Sequence, residues 1–420
     1  MLPLAAVFIL SGPLPRPPAD TTLALRANRE AALYARRDRG ALWRTPLTTP
    51  LLIVDPATRR AASSVPDSAG FMVREGSLYT ARMPDEVQLA NTSLKWGGRT
   101  WAMVLTPLPA DSVERGILLM HEVWHSVQGR AGDSPGTPDN PHVATESGRT
   151  WMRVEGRALA AALVSSGPAQ QRAIADALAA RLARRAAAPG SDGTERQLEL
   201  VEGLAEYTGI ALVAAPAERA AIGRARLARL EQQGSLMRSF PYATGTAWAL
   251  LLDVIAAGWR RHVTAGSDLA LMVAAALKID TTAASNGEAR FAAYGLEEVR
   301  GEEQARATAR VARQDSLRAL YVTGPILRLP LAEMSMSFNP NSVEPLPDVG
   351  TVYRPFRLSD KWGVLDADTS GALVDTGFRE ARVAGPARGG VSGAGWHVTL
   401  NEGWEVVPAE RPGDYTIRKR

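Results

Sequence analysis

Leu119-Met120-His121-Glu122-Val123-Trp124-His125-Ser126-Val127 sets two imidazoles four residues apart with a carboxylate directly after the first. On a helix, positions i and i+4 share a face, so both rings can bind one Zn²⁺ while Glu122 reaches a water held by the same ion. The segment reads as a helix. Asp111 and Glu114 form a D-x-x-E variant of the capping box, and Ile117, Leu118, Met120, Val123 and Trp124 supply the apolar faces. The alternative is an ordinary buried amphipathic helix with Glu122 solvated on its flank. Against it, two of only five histidines fall in this register.

A zinc site with two histidines needs one more protein ligand if a fourth position is to stay open for water, and a carboxylate is a common choice. Leu200-Val201-Glu202-Gly203-Leu204-Ala205-Glu206-Tyr207-Thr208-Gly209 lies in an apolar-periodic segment expected to be helical. Glu202 fits the ligand role. Glu206, one turn later, can accept a hydrogen bond from the free ring nitrogen of a ligand histidine.

At this point the chain resembles the gluzincin metallopeptidases, in particular the aminopeptidase-type branch with its E-G-x-A-x-Y helix. Phe240-Pro241-Tyr242-Ala243-Thr244-Gly245, followed by Ala247, Leu250 and Leu251, is similar to the P-Y-x-x-G helix start of that branch. The resemblance implies a zincin-like catalytic domain, zinc held by His121, His125 and Glu202, Glu122 as general base and Tyr242 as a donor to the oxyanion. A neutral donor there gains strength as charge develops on the scissile carbonyl oxygen.

Two features depart from the family pattern. Glu202 follows His125 by 77 positions, where the family spacing is twenty to thirty, so an insertion must loop out. Within it, Glu146 stands 21 positions after His125, and Glu155-Gly156-Arg157-Ala158-Leu159 echoes the later motif. Glu202 ranks first because only it brings Ala205, Tyr207 and the later Tyr242, and Glu146 and Glu155 are the alternatives. If they are not ligands, these two are expected to pair with Arg149 and Arg157 near the site. The second departure is the lack of a G-x-M-E-N segment ahead of the histidines, so exopeptidase specificity does not carry over. Trp101 to Leu105, preceded by a Gly97-Gly98 turn, is either a substrate-pairing strand or an interior strand of a small sheet.

With 420 residues, 45% of them hydrophobic, the chain can build two or three domains with true cores. The expected class is α+β. Residues 21–323 form the catalytic domain, with a sheet over 50–105 and helices over 111–322, and 324–420 form a small β domain. Helices are expected over Thr22 to Arg39, 144–166, 168–187, 193–214, 216–233, 242–256, 267–277 and 297–322. Strands are expected over Pro50 to Asp55, Gly70 to Val73, Leu78 to Ala81 and Val87 to Ala90. After Gly324 they are expected over Thr351 to Leu358, Ala372 to Asp375, Arg379 to Val383, Trp396 to Leu400, Trp404 to Val407 and Tyr415 to Lys419. Trp362, Trp396 and Trp404 are expected in the core of that domain rather than on a carbohydrate-stacking surface.

The net charge of +4 reflects helical arginines, among them Arg181, Arg184, Arg185, Arg224, Arg226 and Arg229, which are expected on solvated faces. Nucleic acid is therefore not an expected partner. The chain has no cysteine, which removes disulfides, thiol catalysis and cysteine-based metal sites. Leu2 to Leu10 followed by a Pro-rich stretch has the shape of a secretory signal within residues 1–20, implying an extracytoplasmic location. No interior membrane span is expected.

These readings converge on a zinc-dependent peptidase acting on a peptide or protein. Glu122 and Tyr242 are catalytic, and His121, His125 and Glu202 are the metal ligands. The rivals are a catalytically silent zincin scaffold that binds a partner and a zinc hydrolase acting on a non-peptide substrate. Oligomeric state is not specified by any of these features.

Overall fold

A computed structural model describes residues 21–84, 87–128, 138–281, 287–338, 342–368, 370–386 and 390–420. The expected signal lies outside them. The fold is α+β, with an N-terminal sheet, a helical region and a C-terminal region of strands. No helix among the described residues is long and apolar enough to cross a membrane.

The first helix, α1 (Thr21–Asp38), leads into β1 (Leu51–Val54), β2 (Arg60–Ser63), β3 (Val73–Glu75), β4 (Leu78–Arg82), β5 (Thr92–Trp96) and β6 (Arg99–Leu105). They form one sheet in the order β3-β4-β2-β1-β6-β5, antiparallel except where β1 pairs with β6. Alternation along the strands sends Leu51, Ile53, Ala102 and Val104 to one face and Leu52, Val54, Trp101 and Met103 to the other. The first face packs on α1 and on α2 (Ser112–Gln128) through Ala24, Ala27, Leu119, Met120 and Val123.

The sheet corrects several expectations, and the strand expected over Gly70 to Val73 begins only at Val73 and runs to Glu75. Val87–Ala90 is not a strand; the Arg59 guanidinium instead binds the carbonyls of Pro84 and Val87 and holds that segment as a loop. The added strands, β2 and β5, are the partners of β1 and β6. With β1 on one side and β5 on the other, Trp101–Leu105 is an interior strand. Its backbone is not available to an extended substrate.

The helical region continues with α3 (Glu146–Ala162), α4 (Gly167–Ala187), α5 (Ser191–Leu198), a π-helical turn over Glu199–Gly203, α6 (Leu204–Val213), α7 (Pro216–Gln232), α8 (Thr244–Ile255), α9 (Leu269–Leu277) and α10 (Leu296–Arg318). Leu159, Leu178, Leu204, Tyr207, Trp248 and Leu251 are among the residues of its common core. The arginines expected in solvent include three that are buried. Arg181 and Arg184 are inaccessible and Arg226 nearly so, because each meets buried glutamates that compensate its charge.

The chain divides into two compact units between Glu303 and Gln304, inside α10. In the first unit, buried Glu303 receives Arg149 and Arg153, each at 2.8 Å. In the second, Leu317 at the other end of α10 packs with Leu346, Val352 and Leu373.

That second unit contains β7 (Ile326–Pro330), β8 (Ser335–Phe338), β9 (Val343–Leu346), β10 (Gly350–Tyr353), β11 (Phe356–Asp360), β12 (Gly363–Ala367), β13 (Ala372–Asp375), β14 (Glu380–Ala384), β15 (Ser392–Gly393), β16 (Trp396–Leu400), β17 (Trp404–Pro408) and β18 (Tyr415–Lys419). Two sheets, β17-β18-β7-β14-β13-β10-β9 and β15-β16-β12-β11-β8, share a core that includes Trp362 and Trp396, with Trp404 packed against it. The expected run Thr351–Leu358 breaks before Pro355, which has no N–H for a ladder, and its halves enter different sheets.

Close approach of α6 to α2 sets the geometry of the candidate site. A Cβ on Gly209 would stand 2.5 Å from the carbonyl oxygen of Ile117, and one on Gly203 would stand 2.8 Å from the Cα of Gly245. Gly209→Ala must therefore force the helices apart, and it is expected to lower unfolding stability by about 2 kcal/mol. Urea denaturation of the full chain measures this.

Candidate metal centre

Asp111 caps α2, its Oδ1 accepting from the amides of Val113 and Glu114 at 2.9 Å each. Glu114 does not complete the reciprocal half of a capping box; its carboxylate takes two bonds from Arg226. Further along the helix, Ser126 Oγ donates to the Trp101 carbonyl at 3.3 Å and Trp124 stacks on Trp43 with centroids 4.6 Å apart. These contacts fix the rotation of α2. His121 and Glu122 are thereby buried, and His125 is partly buried.

Three ligand-type atoms converge. His121 Nε2 and His125 Nε2 are 3.0 Å apart, and Glu202 Oε2 stands 3.5 Å from the first and 3.4 Å from the second. A tetrahedral ion with bonds of about 2.0 to 2.1 Å has ligand-to-ligand edges of about 3.3 Å, so this triangle has the dimensions of three of its corners. Among the described residues it is the group of three suited to hold a metal ion. Across the ring, His121 Nδ1 donates to Glu206 Oε2 at 3.2 Å. That bond keeps a proton on Nδ1, so the proton that a metal ion would displace is the one on Nε2, which faces the triangle.

Glu202 sits in the π-helical turn, where the amide of Leu204 reaches back to the Glu199 carbonyl. Such turns insert one residue into a helix and re-aim the side chains around it. Glu202 and Glu206 remain one turn apart and meet opposite nitrogens of the same imidazole. Tyr242 ends a short 3₁₀ turn, Phe240–Tyr242, that precedes α8. Its hydroxyl donates to Glu202 Oε2 at 2.6 Å, while its ring lies parallel to that of His121 with centroids 5.5 Å apart.

Charge at the site is weighted toward carboxylates. Glu122, Glu202 and Glu206 surround the two imidazoles, and Arg226 is bonded to Glu206 at 2.6 Å. Burial works against a charged His121, but the hydrogen bonds to Glu202 and Glu206 outweigh it and push its pKa up to about 10. Burial likewise opposes a charged Glu202, yet bonds from both histidines and Tyr242 hold its carboxyl well below the usual range. For Glu122 burial prevails and the carboxyl is pushed up, despite the nearby histidines. Its Oε2 is buried with no hydrogen-bond partner among the described residues, which is an unusual cost unless the atom is used by something the site binds. A cation at the triangle suits this excess of acceptors.

The alternative ligands lie elsewhere. Glu155 is fully buried and bonded to Arg181, Arg184 and Trp248. Glu146 occupies the exposed first turn of α3. Neither belongs to the three-atom group. Nor do they pair with Arg149 and Arg157, which bind Glu303 and Glu231. Glu155 and Arg157 are two residues apart on α3 and so point to nearly opposite sides of it. Sequence reasoning missed Arg226, whose only signal was its place among helical arginines. A cleft of about 330 Å³ opens beside the site, with Ile117, Leu118, Glu206, Arg226 and Tyr242 on its walls.

Comparison with protein-family models, curated proteins and solved structures gives no match to this chain.

Glu206→Ala removes the acceptor that orients His121 and leaves Arg226 one carboxylate short. The variant is expected to bind a divalent metal about 10- to 100-fold more weakly than the unaltered chain. Competition against a chromogenic chelator reads this directly.

Proposed function

We propose that this protein is a zinc-dependent metallopeptidase. The observation that carries the reading is the triangle of His121 Nε2, His125 Nε2 and Glu202 Oε2, with edges of 3.0, 3.5 and 3.4 Å, beside a buried Glu122 oxygen that has no partner among the described residues. Two imidazoles and one carboxylate are a donor set suited to zinc, and three protein ligands leave a fourth position for water or substrate. When bound, zinc supplies a Lewis acid that polarises a carbonyl and makes water nucleophilic near neutral pH.

The remaining chemistry belongs to the chain. Glu122 accepts the proton of the attacking water and delivers it to the leaving amine as the C–N bond breaks. Tyr242 donates its hydroxyl to the carbonyl oxygen as negative charge builds there. The ring of Tyr242 is partly exposed, while its hydroxyl reaches Glu202. The phenol therefore links the neighbouring cleft, which its side chain lines, to the ligand Glu202. Apolar Ile117 and Leu118 and the charged groups Glu114 and Arg226 together provide walls for a peptide side chain. A purely structural metal site has no use for a base or an oxyanion donor, which favours an enzyme over a silent scaffold.

Three kinds of variant separate the roles. His121→Ala and His125→Ala are expected to lose stoichiometric zinc by metal analysis, since each removes one of three ligands. Glu122→Gln is expected to retain zinc and to lower cleavage of a mixed peptide library about 10²- to 10⁴-fold. Full zinc content in either histidine variant, or undiminished cleavage by Glu122→Gln, would count against the assignment. For Tyr242→Phe, the expectation is a kcat lowered roughly 10- to 1000-fold with KM and zinc content little changed.

A further inference from the structure

The segment between His125 and Glu202 contains a buried charge network that touches the turn carrying Glu202 and the helix start next to Tyr242. Arg181 of α4 is its hub. Its Nη1 and Nη2 donate to the two oxygens of Glu199 at 2.8 and 2.5 Å, and its Nε donates to Glu155 Oε1 at 2.8 Å. Glu155 also accepts from Arg184 at 2.6 Å and from the indole of Trp248 at 2.9 Å. Glu155, Arg181, Glu199 and Thr244 are each at most 1% exposed.

Glu199 opens the π-helical turn, three residues before Glu202. Its Oε1 additionally accepts from Thr244 Oγ1 at 2.6 Å, and Thr244 begins α8 two residues after Tyr242. One carboxylate therefore joins the turn that carries Glu202 to the helix start that carries Tyr242. The two segments are in backbone contact at this junction. A Cβ on Gly245 would stand 3.0 Å from Gly203 Cα and 3.2 Å from Glu199 Cβ. Trp248, one turn after Thr244, is fixed on the same side by Glu155, and Arg181 lies over its ring at 5.5 Å. Both anchors of α8 thus end on side chains that α3 and α4 supply or hold.

We propose that Glu199 and Thr244, clamped by Arg181 and Glu155 of the inserted α3–α4 pair, are positioning residues for the metal centre. Their bond holds the Glu202 turn and the Tyr242 hydroxyl in register. The inference rests on the zinc reading above. Neither residue touches the triangle; both act through backbone segments only two or three residues long, which leave little slack. A buried carboxylate with three donors in place is also rigid, because each donor lost leaves an acceptor unsatisfied in a dry interior.

The test compares Thr244→Val, which keeps the side-chain shape and removes the hydroxyl, with Thr244→Ser, which keeps the hydroxyl. Zinc affinity of the full-length chain is measured by competition with a chromogenic chelator, and coordination by the visible spectrum of the cobalt-substituted protein. Thr244→Val is expected to weaken zinc about tenfold and to alter the cobalt spectrum, with Thr244→Ser close to the unaltered protein. Glu199→Gln should move both readouts in the same direction. If Thr244→Val and Glu199→Gln fold with unchanged zinc affinity and cobalt spectrum, or lose only thermal stability, the positioning role is overturned. A wild-type chain that takes up no zinc overturns the functional reading as well, so the two failures are distinguishable.

Discussion

The imidazole of His121 is held at both nitrogens by carboxylates one helical turn apart, Glu202 toward Nε2 and Glu206 toward Nδ1. Much of the helical unit serves this requirement. For two residues of one helical segment to flank a ring on another, α6 must lie against α2 with almost no side chain between them. Gly209 meets the Ile117 carbonyl there, and Gly203 meets Gly245 on the other side of the same segment. The π-helical turn then shifts the phase of the helix at Glu202. Because interior packing leaves few voids, such an approach is tolerated only where glycine supplies the missing volume.

Charge burial is the second theme. Arg181, Arg184, Glu155, Glu195 and Glu199 are withdrawn from water together, and a buried ion pair seldom adds net stability over a well-packed apolar pair. What such a network contributes is uniqueness of arrangement, since each group has directional partners and an incorrect packing would strand a charge. Its position, between the α3–α4 pair and the segments that bear Glu202 and Tyr242, suits that purpose. Arg226 has a comparable place on the far side of His121, bridging Glu206 to Glu114 at the start of α2.

The local features of the site were legible because they depend on short spacings. A helix places residues four apart on one face, so His121, Glu122 and His125 could be assigned a common surface from the chain alone, as could Glu202 and Glu206. The burial of Trp396 followed from alternation along its strand for a similar reason, whereas Trp362 lies in the turn between β11 and β12. The environments of Glu155 and Glu202 were told apart in the sequence only by the Ala205, Tyr207 and Tyr242 that accompany the second. Both open a Glu-Gly pair on an apolar helix, and the difference is that arginines of α4 surround the first while histidines of α2 surround the second. The buried arginines were misjudged on the same ground. Arginine on a helix is usually solvated, and only the arrival of glutamates from other elements reverses that.

Sequence by itself determined the helix of α2, the register of its two histidines and carboxylate, and the presence of a downstream acidic helix able to complete a ligand set, because these follow from backbone periodicity over a few residues. Tertiary structure decided which carboxylate comes to the histidines, that β6 is enclosed by β1 and β5, and where the Tyr242 hydroxyl points. Those outcomes are set by contacts between residues dozens of positions apart, where steric fit at glycines and compensation of buried charge choose among local possibilities of nearly equal propensity.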